Sequence, residues 1–141
     1  MFLLDTNVAS ELRKARTPRI EPKVSAWAER TPAALMYLST VTVLELEVGV
    51  LQMERRDPTQ GAVLRRWFER GLLASFEARI LSFDLAAAHR GSALHVPDRR
   101  PFHDALIAAT ALAHGLTVVT RNTRDFAPMG VPVLSPWDLP A

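Results

Sequence analysis

The chain contains no cysteine, which rules out a disulfide framework and any thiolate metal site. None of its apolar runs is long enough to cross a bilayer. The opening Met1–Leu4 is too short for a secretory signal, so a cytoplasmic location without membrane association is the expectation. Charge of one sign is lacking too, because 17 basic and 15 acidic residues leave a net charge of only +2. The four histidines, His89, His95, His103 and His114, show no tight metal spacing. His103 follows Phe102 and precedes Asp104, and is expected to point to another side of the helix from Asp104. What remains is an ordinary globular composition, 48% hydrophobic and 23% charged. Its 141 residues suffice for one domain with a substantial core, read here as 1–141.

The most informative stretch runs from Phe102 to Phe126. A lone carboxylate, Asp104, opens an almost wholly apolar segment, Ala105–Ala113, which has the character of a helix buried on most sides. Gly115 is a suitable stop. The β-branched run Thr117–Thr120 follows as a strand, and a polar cluster comes directly after it: Thr120, Arg121, Asn122, Thr123, Arg124 and Asp125. A buried helix feeding a buried strand is half of a parallel α/β unit. In such sheets ligands bind outside the carboxyl ends of the strands.

The same pattern opens the chain. Phe2–Leu4 has the composition of a buried strand, followed by Asp5, Thr6 and Asn7 and then a helix over Val8–Lys14. Asp5 or Asn7 suits the cap of that helix; Asp5 is also a second carboxylate at the sheet edge of Asp125. After a loop, Arg16–Pro22, a helix is expected over Lys23–Arg30 with Val24 and Trp27 inward, and then a strand, Met36–Ser39. Ser39 or Thr40 caps a helix over Val41–Met53, whose residues Val41, Leu44, Val48 and Leu51 form one stripe at helical spacing. Glu45 is expected on this inward stripe, where a carboxylate needs a cationic partner or a metal; Glu47 reads as a surface carboxylate. Asp57 and Pro58 start another helix, Thr59–Leu73, with Val63, Trp67, Phe68 and Leu72 inward, and the two helices form an arm suited to a dimer surface. Ile80–Phe83 is a third strand, and Asp84 caps a helix over Leu85–His95. A loop Asp125–Met129, a last strand Val131–Leu134 and a tail Pro136–Ala141 close the chain. The clustered basic residues (Arg13, Lys14, Arg16 and Arg19, then Arg99 and Arg100) read as solvated faces with stems over apolar surface; Arg121 and Arg124 stand closer to the carboxylates.

Asp5 and Asp125 follow strands, while Glu45 and Asp104 lie near the starts of their helices. A parallel layout brings all four toward one edge. Four carboxylates so gathered repel one another unless a cation neutralises them, and ligands that are all oxygens favour magnesium or manganese over zinc or copper.

Four segments, LLDTN at 3–7, TVTVLELEVGV at 40–50, HDALIAATA at 103–111 and TRNTRDF at 120–126, resemble the motifs of PIN-domain ribonucleases, and more narrowly of the VapC-type toxins of bacterial toxin–antitoxin pairs. The resemblance spans nearly the whole chain. It implies an α/β/α sandwich around a parallel sheet, and an acidic site of Asp5, Glu45, Asp104 and Asp125 holding one or two Mg2+ or Mn2+ ions. It further implies that Thr6 or Thr120 and Asn122 orient carboxylates and water. The activity implied is endonucleolytic hydrolysis of RNA; attack by water would leave 5′-phosphate and 3′-hydroxyl ends, and our own expectation from the charge on the phosphate is that Arg121 or Arg124 offsets it. The implied partners are a cognate antitoxin and a second copy of the chain in a homodimer, both meeting the region 41–73. Ser135-Pro136-Trp137 is similar to the family's usual ending, with Ser where Asn is common. Two alternatives stand beside this reading. One is a catalytically silent binding partner that has kept the fold. The other is an aspartate-based phosphotransferase, which would need a second acidic residue where Asn7 stands.

Overall fold

The computed structural model describes residues 1–140; Ala141, the end of the expected tail, lies outside the described residues. Five short strands pair in parallel: β1 (Phe2–Leu4), β2 (Met36–Ser39), β3 (Ile80–Leu81), β4 (Thr117–Val119) and β5 (Val133–Leu134), side by side in the order β3-β2-β1-β4-β5. The first strand of the sequence is thus the middle strand of the sheet. Helices cover both faces, so the central strands are continuous apolar runs rather than alternating ones. Successive side chains still go to opposite layers. Leu3 and Val118 pack with Ala105, Ile107, Ala108 and Ala111, whereas Leu4, Leu38 and Val119 pack with Val8, Trp27, Val50 and Phe68. The result is the expected three-layer α/β/α arrangement.

Among the described residues seven helices supply the layers: α1 (Thr6–Leu12), α2 (Pro22–Arg30), α3 (Thr40–Arg56), α4 (Pro58–Arg66), α5 (Leu85–Leu94), α6 (Phe102–His114) and α7 (Thr123–Phe126). Their boundaries follow from local chemistry. Ser39 Oγ accepts the Thr42 N–H at 3.1 Å, Asp57 Oδ1 that of Gln60 at 3.2 Å, and Asp84 Oδ1 that of Ala87 at 3.0 Å; each is an N-cap. Gly115 ends α6 in the left-handed region, φ 66°, with the Leu116 N–H returning to the Ala111 carbonyl.

Several expectations need correcting. Helix α1 begins at Thr6 rather than Val8, because the Asp5 carboxylate caps it directly. The third strand stops at Leu81: β2 ends at Ser39 where α3 begins, so Ser82 and Phe83 have no strand to pair with, and the Phe83 N–H goes to Thr40 Oγ1. The last strand starts at Val133, because Pro132 has no N–H to extend the ladder. The expected loop Asp125–Met129 is the end of α7 followed by one tight helical turn. Helix α4 passes into wider, π-helical turns over Trp67–Leu73, with Phe68 and Leu72 buried and Val63 exposed.

The largest correction concerns α3. Its Val41 is buried, as are Thr42 and Val50, but Leu44, Val48 and Leu51 are 59%, 44% and 55% exposed. The stripe has helical spacing, yet it faces away from the core of its own chain. Helix α3 instead packs against α4 along another side, at Gly61. A Cβ at Gly61 would come within 2.4 Å of the Glu54 Cα, so only glycine lets the two backbones approach this closely. Arg65 ties the pair together, bonding Glu54 at 2.9 and 3.2 Å and Glu47 at 2.7 Å. Glu47, read from the sequence as a surface carboxylate, is one, with its side chain 44% exposed and paired with Arg65.

Candidate functional site

The parallel register of β1 and β4, with Leu4 beside Val119, sets the residues that follow each strand side by side: Asp5 after β1 and Thr120 after β4. Both are buried. Asp5 Oδ1 accepts the Thr6 N–H at 2.8 Å, while Oδ2 accepts the Thr120 hydroxyl at 2.7 Å and Asn7 Nδ2 at 3.3 Å. Asp5 thus caps α1 and presents a carboxylate at the sheet edge, so the two readings of it hold together. Asn7 bridges the same strands from its other end, its Oδ1 accepting the Arg121 N–H at 3.2 Å. The Thr120 Oγ1 in turn accepts the Asn122 N–H at 3.0 Å.

Glu45 arrives from α3 and Asp104 from the first turn of α6. Thr6 Oγ1 donates to Glu45 Oε1 at 2.9 Å. Asp5, Thr6, Asn7, Ser10, Glu45, Leu46, Asp104 and Asn122 together line an open cavity of about 360 Å³. Asp125 does not line it. It is exposed in the first turn of α7, and it acts on the other carboxylates through its field alone. The Arg121 guanidinium lies over the Trp137 ring, 5.3 Å from its centroid, and Arg124 is exposed on α7. A larger recess of about 580 Å³, between α1 and the π-helical turns, carries Arg13, Arg16, Arg70 and Trp67 and no carboxylate among its described lining residues. The carboxylates are gathered in the smaller cavity, not in the larger recess.

Burial and mutual repulsion shape the acids. Burial pushes Asp5 above the usual carboxylate range, the Thr120 hydroxyl and Thr6 N–H pull it back, and the charges of Glu45 and Asp125 add to the rise. Asp104 is pushed up to about 6, first by burial and then by the charges of Asp5, Asp125 and Glu45, with His103 acting in the opposite direction. Among the described residues no lysine or arginine pairs with Asp5, Glu45, Asp104 or Asp125; the one ion-pair contact is His103 Nδ1 to Glu45 Oε2 at 3.5 Å. Half-buried carboxylates without cationic side chains suit a hard divalent ion. No three acidic or histidine side chains among the described residues stand close enough to enclose an ion outright. Mg2+ does not require that, since it is held by one or two carboxylates and keeps several waters.

Two features escape a reading of the sequence. His103, expected on another side of α6 from Asp104, reaches the Glu45 carboxylate, because Glu45 approaches from α3, a separate helix. Asn7 does more than stand near a helix start: it links the ends of β1 and β4. Its position two residues after a strand-end aspartate was the available signal.

Comparisons with known proteins agree with this geometry. The PIN domain family matches residues 2–131. The plasmid stability protein StbB of Pseudomonas syringae pv. tomato is 39% identical, covering 98% of this chain and 99% of its own. The VapC ribonuclease Y4jK of Sinorhizobium fredii is 36% identical over the same shares. The toxin FitB of Neisseria gonorrhoeae is 37% identical over 97% of this chain and 99% of its own. Among solved structures, FitAcB from Neisseria gonorrhoeae has a TM-score of 0.89 at 36% identity, covering 99% of this chain and 100% of that one. A toxin–antitoxin complex from Klebsiella pneumoniae has a TM-score of 0.67 at 29% identity, covering 99% and 100%. The strand-end acids, the parallel sheet and these matches meet in one conclusion, that the chain belongs to the PIN domain family.

Proposed function

We propose that this protein is the toxin of a toxin–antitoxin pair and acts as a metal-dependent endoribonuclease. The observation that carries the proposal is the open cavity where Asp5, Glu45 and Asp104 meet at the carboxyl ends of the strands, with Asp125 nearby and, among the described residues, no lysine or arginine paired with them. Asp5, Glu45 and Asp104 are the residues that would hold Mg2+ or Mn2+, with Asp125 completing the acidic set. Such an ion, when bound, lowers the pKa of water and offsets charge on a phosphodiester. The chain's own part is positioning. Thr120 and Asn7 fix the Asp5 carboxylate, Thr6 fixes that of Glu45, and Asn122 borders the cavity where water and phosphate meet. Arg121 and Arg124 flank the RNA backbone. Hydrolysis by water leaves 5′-phosphate and 3′-hydroxyl ends. Names among the relatives, a VapC ribonuclease and a toxin, support the same activity.

The test is cleavage of end-labelled total RNA by purified, antitoxin-free protein. Cutting is expected with magnesium or manganese and none with chelator. Metal-independent cutting, or no cutting by folded protein on any RNA tried, would sink the proposal.

The partners follow from two surfaces. The recess lined by Arg13, Arg16, Arg70 and Trp67 fits an antitoxin segment carrying both acidic and apolar side chains. The exposed row Leu44, Val48 and Leu51 on α3 is the homodimer face, a role anticipated for this region with the wrong orientation. Apolar side chains in such a row are normally covered by a partner. The free protein is expected to sediment as a dimer, and Leu44→Glu with Val48→Glu as a folded monomer. A double variant that stays dimeric would move the interface elsewhere. Among the described residues no helix is long and apolar enough to cross a membrane, and a cytoplasmic site of action is part of the proposal.

A further inference from the structure

Beside the acidic cavity the chain exposes an aromatic ring that none of the roles above employs. Phe102, the first residue of α6, is 62% exposed. Its ring lies nearly parallel to the His95 imidazole, at 22° and 6.4 Å between centroids. The His95 ring is itself fixed, its Nδ1 accepting the Arg100 N–H at 3.1 Å. The His103 ring is a second neighbour, tilted at 47° with its centroid 6.2 Å from that of Phe102, and His103 Nδ1 reaches Glu45 Oε2 at 3.5 Å. His95, Phe102 and His103 are thus linked ring to ring, and the last of them touches Glu45 at the carboxylate cavity. Two arginines, Arg99 and Arg100, precede it in the chain.

We infer that Phe102 is a stacking platform for an unpaired base of the RNA next to the phosphodiester being cut. The inference rests on the ribonuclease reading and deepens it. A ring backed by an imidazole is held in place before any ligand arrives, so little freedom is lost on binding. Its ring neighbours are two histidines, and Arg99 and Arg100 stand just before it in the chain. That composition suits a nucleotide, with a flat face for the base and positive charge for its phosphates. Every base has a π-face, so the platform selects for single-stranded RNA and not for one letter. A duplex keeps its bases stacked inside and cannot use it. Phe102 in this way favours loops and unpaired ends before the acidic residues act.

The experiment compares two fluorescein-labelled oligoribonucleotides of equal length and charge, one of mixed sequence and one abasic throughout. Binding is read by anisotropy in calcium, a hard dication for oxygen ligands, and cleavage is followed separately in magnesium. The wild-type protein is expected to bind the base-bearing strand roughly tenfold more tightly, stacking being worth that much per base. Phe102→Ala should erase the preference while leaving the abasic affinity unchanged, and Phe102→Trp should keep it. The inference is overturned if the wild-type protein shows no preference or no binding, or if Phe102→Ala retains the preference. It is also overturned if Phe102→Ala weakens both strands equally, or changes only the dimer equilibrium, which would mark the ring as structural or as part of a protein interface. A Phe102-dependent preference without cleavage in magnesium would uphold the platform and remove the ribonuclease reading. Cleavage without the preference would do the reverse.

Discussion

Asp104→Asn is expected to lower RNA cleavage by about a thousandfold or more, the scale of losing a group that holds a catalytic ion, and at the same time to make the ion-free protein more stable above pH 7. The two effects have one cause. Asp104 is half-buried among like charges and its carboxyl sits at about 6, against 3.8 for an unperturbed aspartate. A carboxyl whose value is raised on folding favours the folded state when protonated. Its stabilising contribution is complete below about 3.8 and is lost as the pH rises through about 6. The variant has no such loss. The Asp104 side chain takes part in none of the side-chain hydrogen bonds among the described residues, so asparagine leaves no partner stranded. Thermal unfolding of both proteins with chelator, from pH 4 to 8, checks the point: the variant should lead above pH 7 and the gap should close toward pH 4. Parallel curves would refute the electrostatic account, and full activity in the variant would move the site.

The second large effect lies away from the cavity. Gly61→Val is expected to destabilise the protein by about 3 kcal/mol or more, since overpacking costs 1–3 kcal/mol where neighbours can shift and here the obstruction is backbone. The Cβ would meet the Glu54 Cα at 2.4 Å and its N at 2.7 Å. Relief requires α3 and α4 to move apart, which would also pull Arg65 from Glu47 and Glu54. Gly49 is the contrast. A Cβ there meets nothing within 4 Å, so Gly49→Ala should stabilise by roughly 0.5–1 kcal/mol through helix propensity alone. Urea unfolding of both variants gives opposite signs if the close approach is real. A Gly61→Val protein as stable as the wild type would show that the hairpin tolerates separation.

The layers of the fold were legible because they rest on local signals. Leu3 and Leu4 announce a buried strand, Ser39, Asp57 and Asp84 announce helix starts, and Gly115 announces a stop. Strand ends were less legible, because they depend on where the neighbouring strand stops, as Phe83 and Pro132 show. The gathering of Asp5, Glu45 and Asp104 around one cavity could be foreseen from strand-end and helix-start positions in a parallel sheet. The orientation of Leu44, Val48 and Leu51 could not. Helical spacing says that a stripe will be covered, not by what, and a second chain writes the same pattern as a core. Phe102 and His103 were missed for a related reason: their partners, His95 and Glu45, come from other helices, and no spacing along α6 reveals them.

The central place of β1 has a consequence for the making of this protein. Phe2–Leu4 is the first strand to be translated, yet it lies between two later ones, and the hydroxyl that holds Asp5 belongs to Thr120, 115 residues downstream. Domains fold as units once their long-range partners exist. A chain still on the ribosome carries Asp5 and Glu45 well before Asp104 and Thr120 are polymerised, and its sheet cannot close until β4 has emerged. On the proposed function, a translating cell is synthesising an enzyme that destroys its own RNA. The strand order delays assembly of that enzyme until β4 and Thr120 have been made. A nascent chain without β4 lacks the contact that holds Asp5 in place.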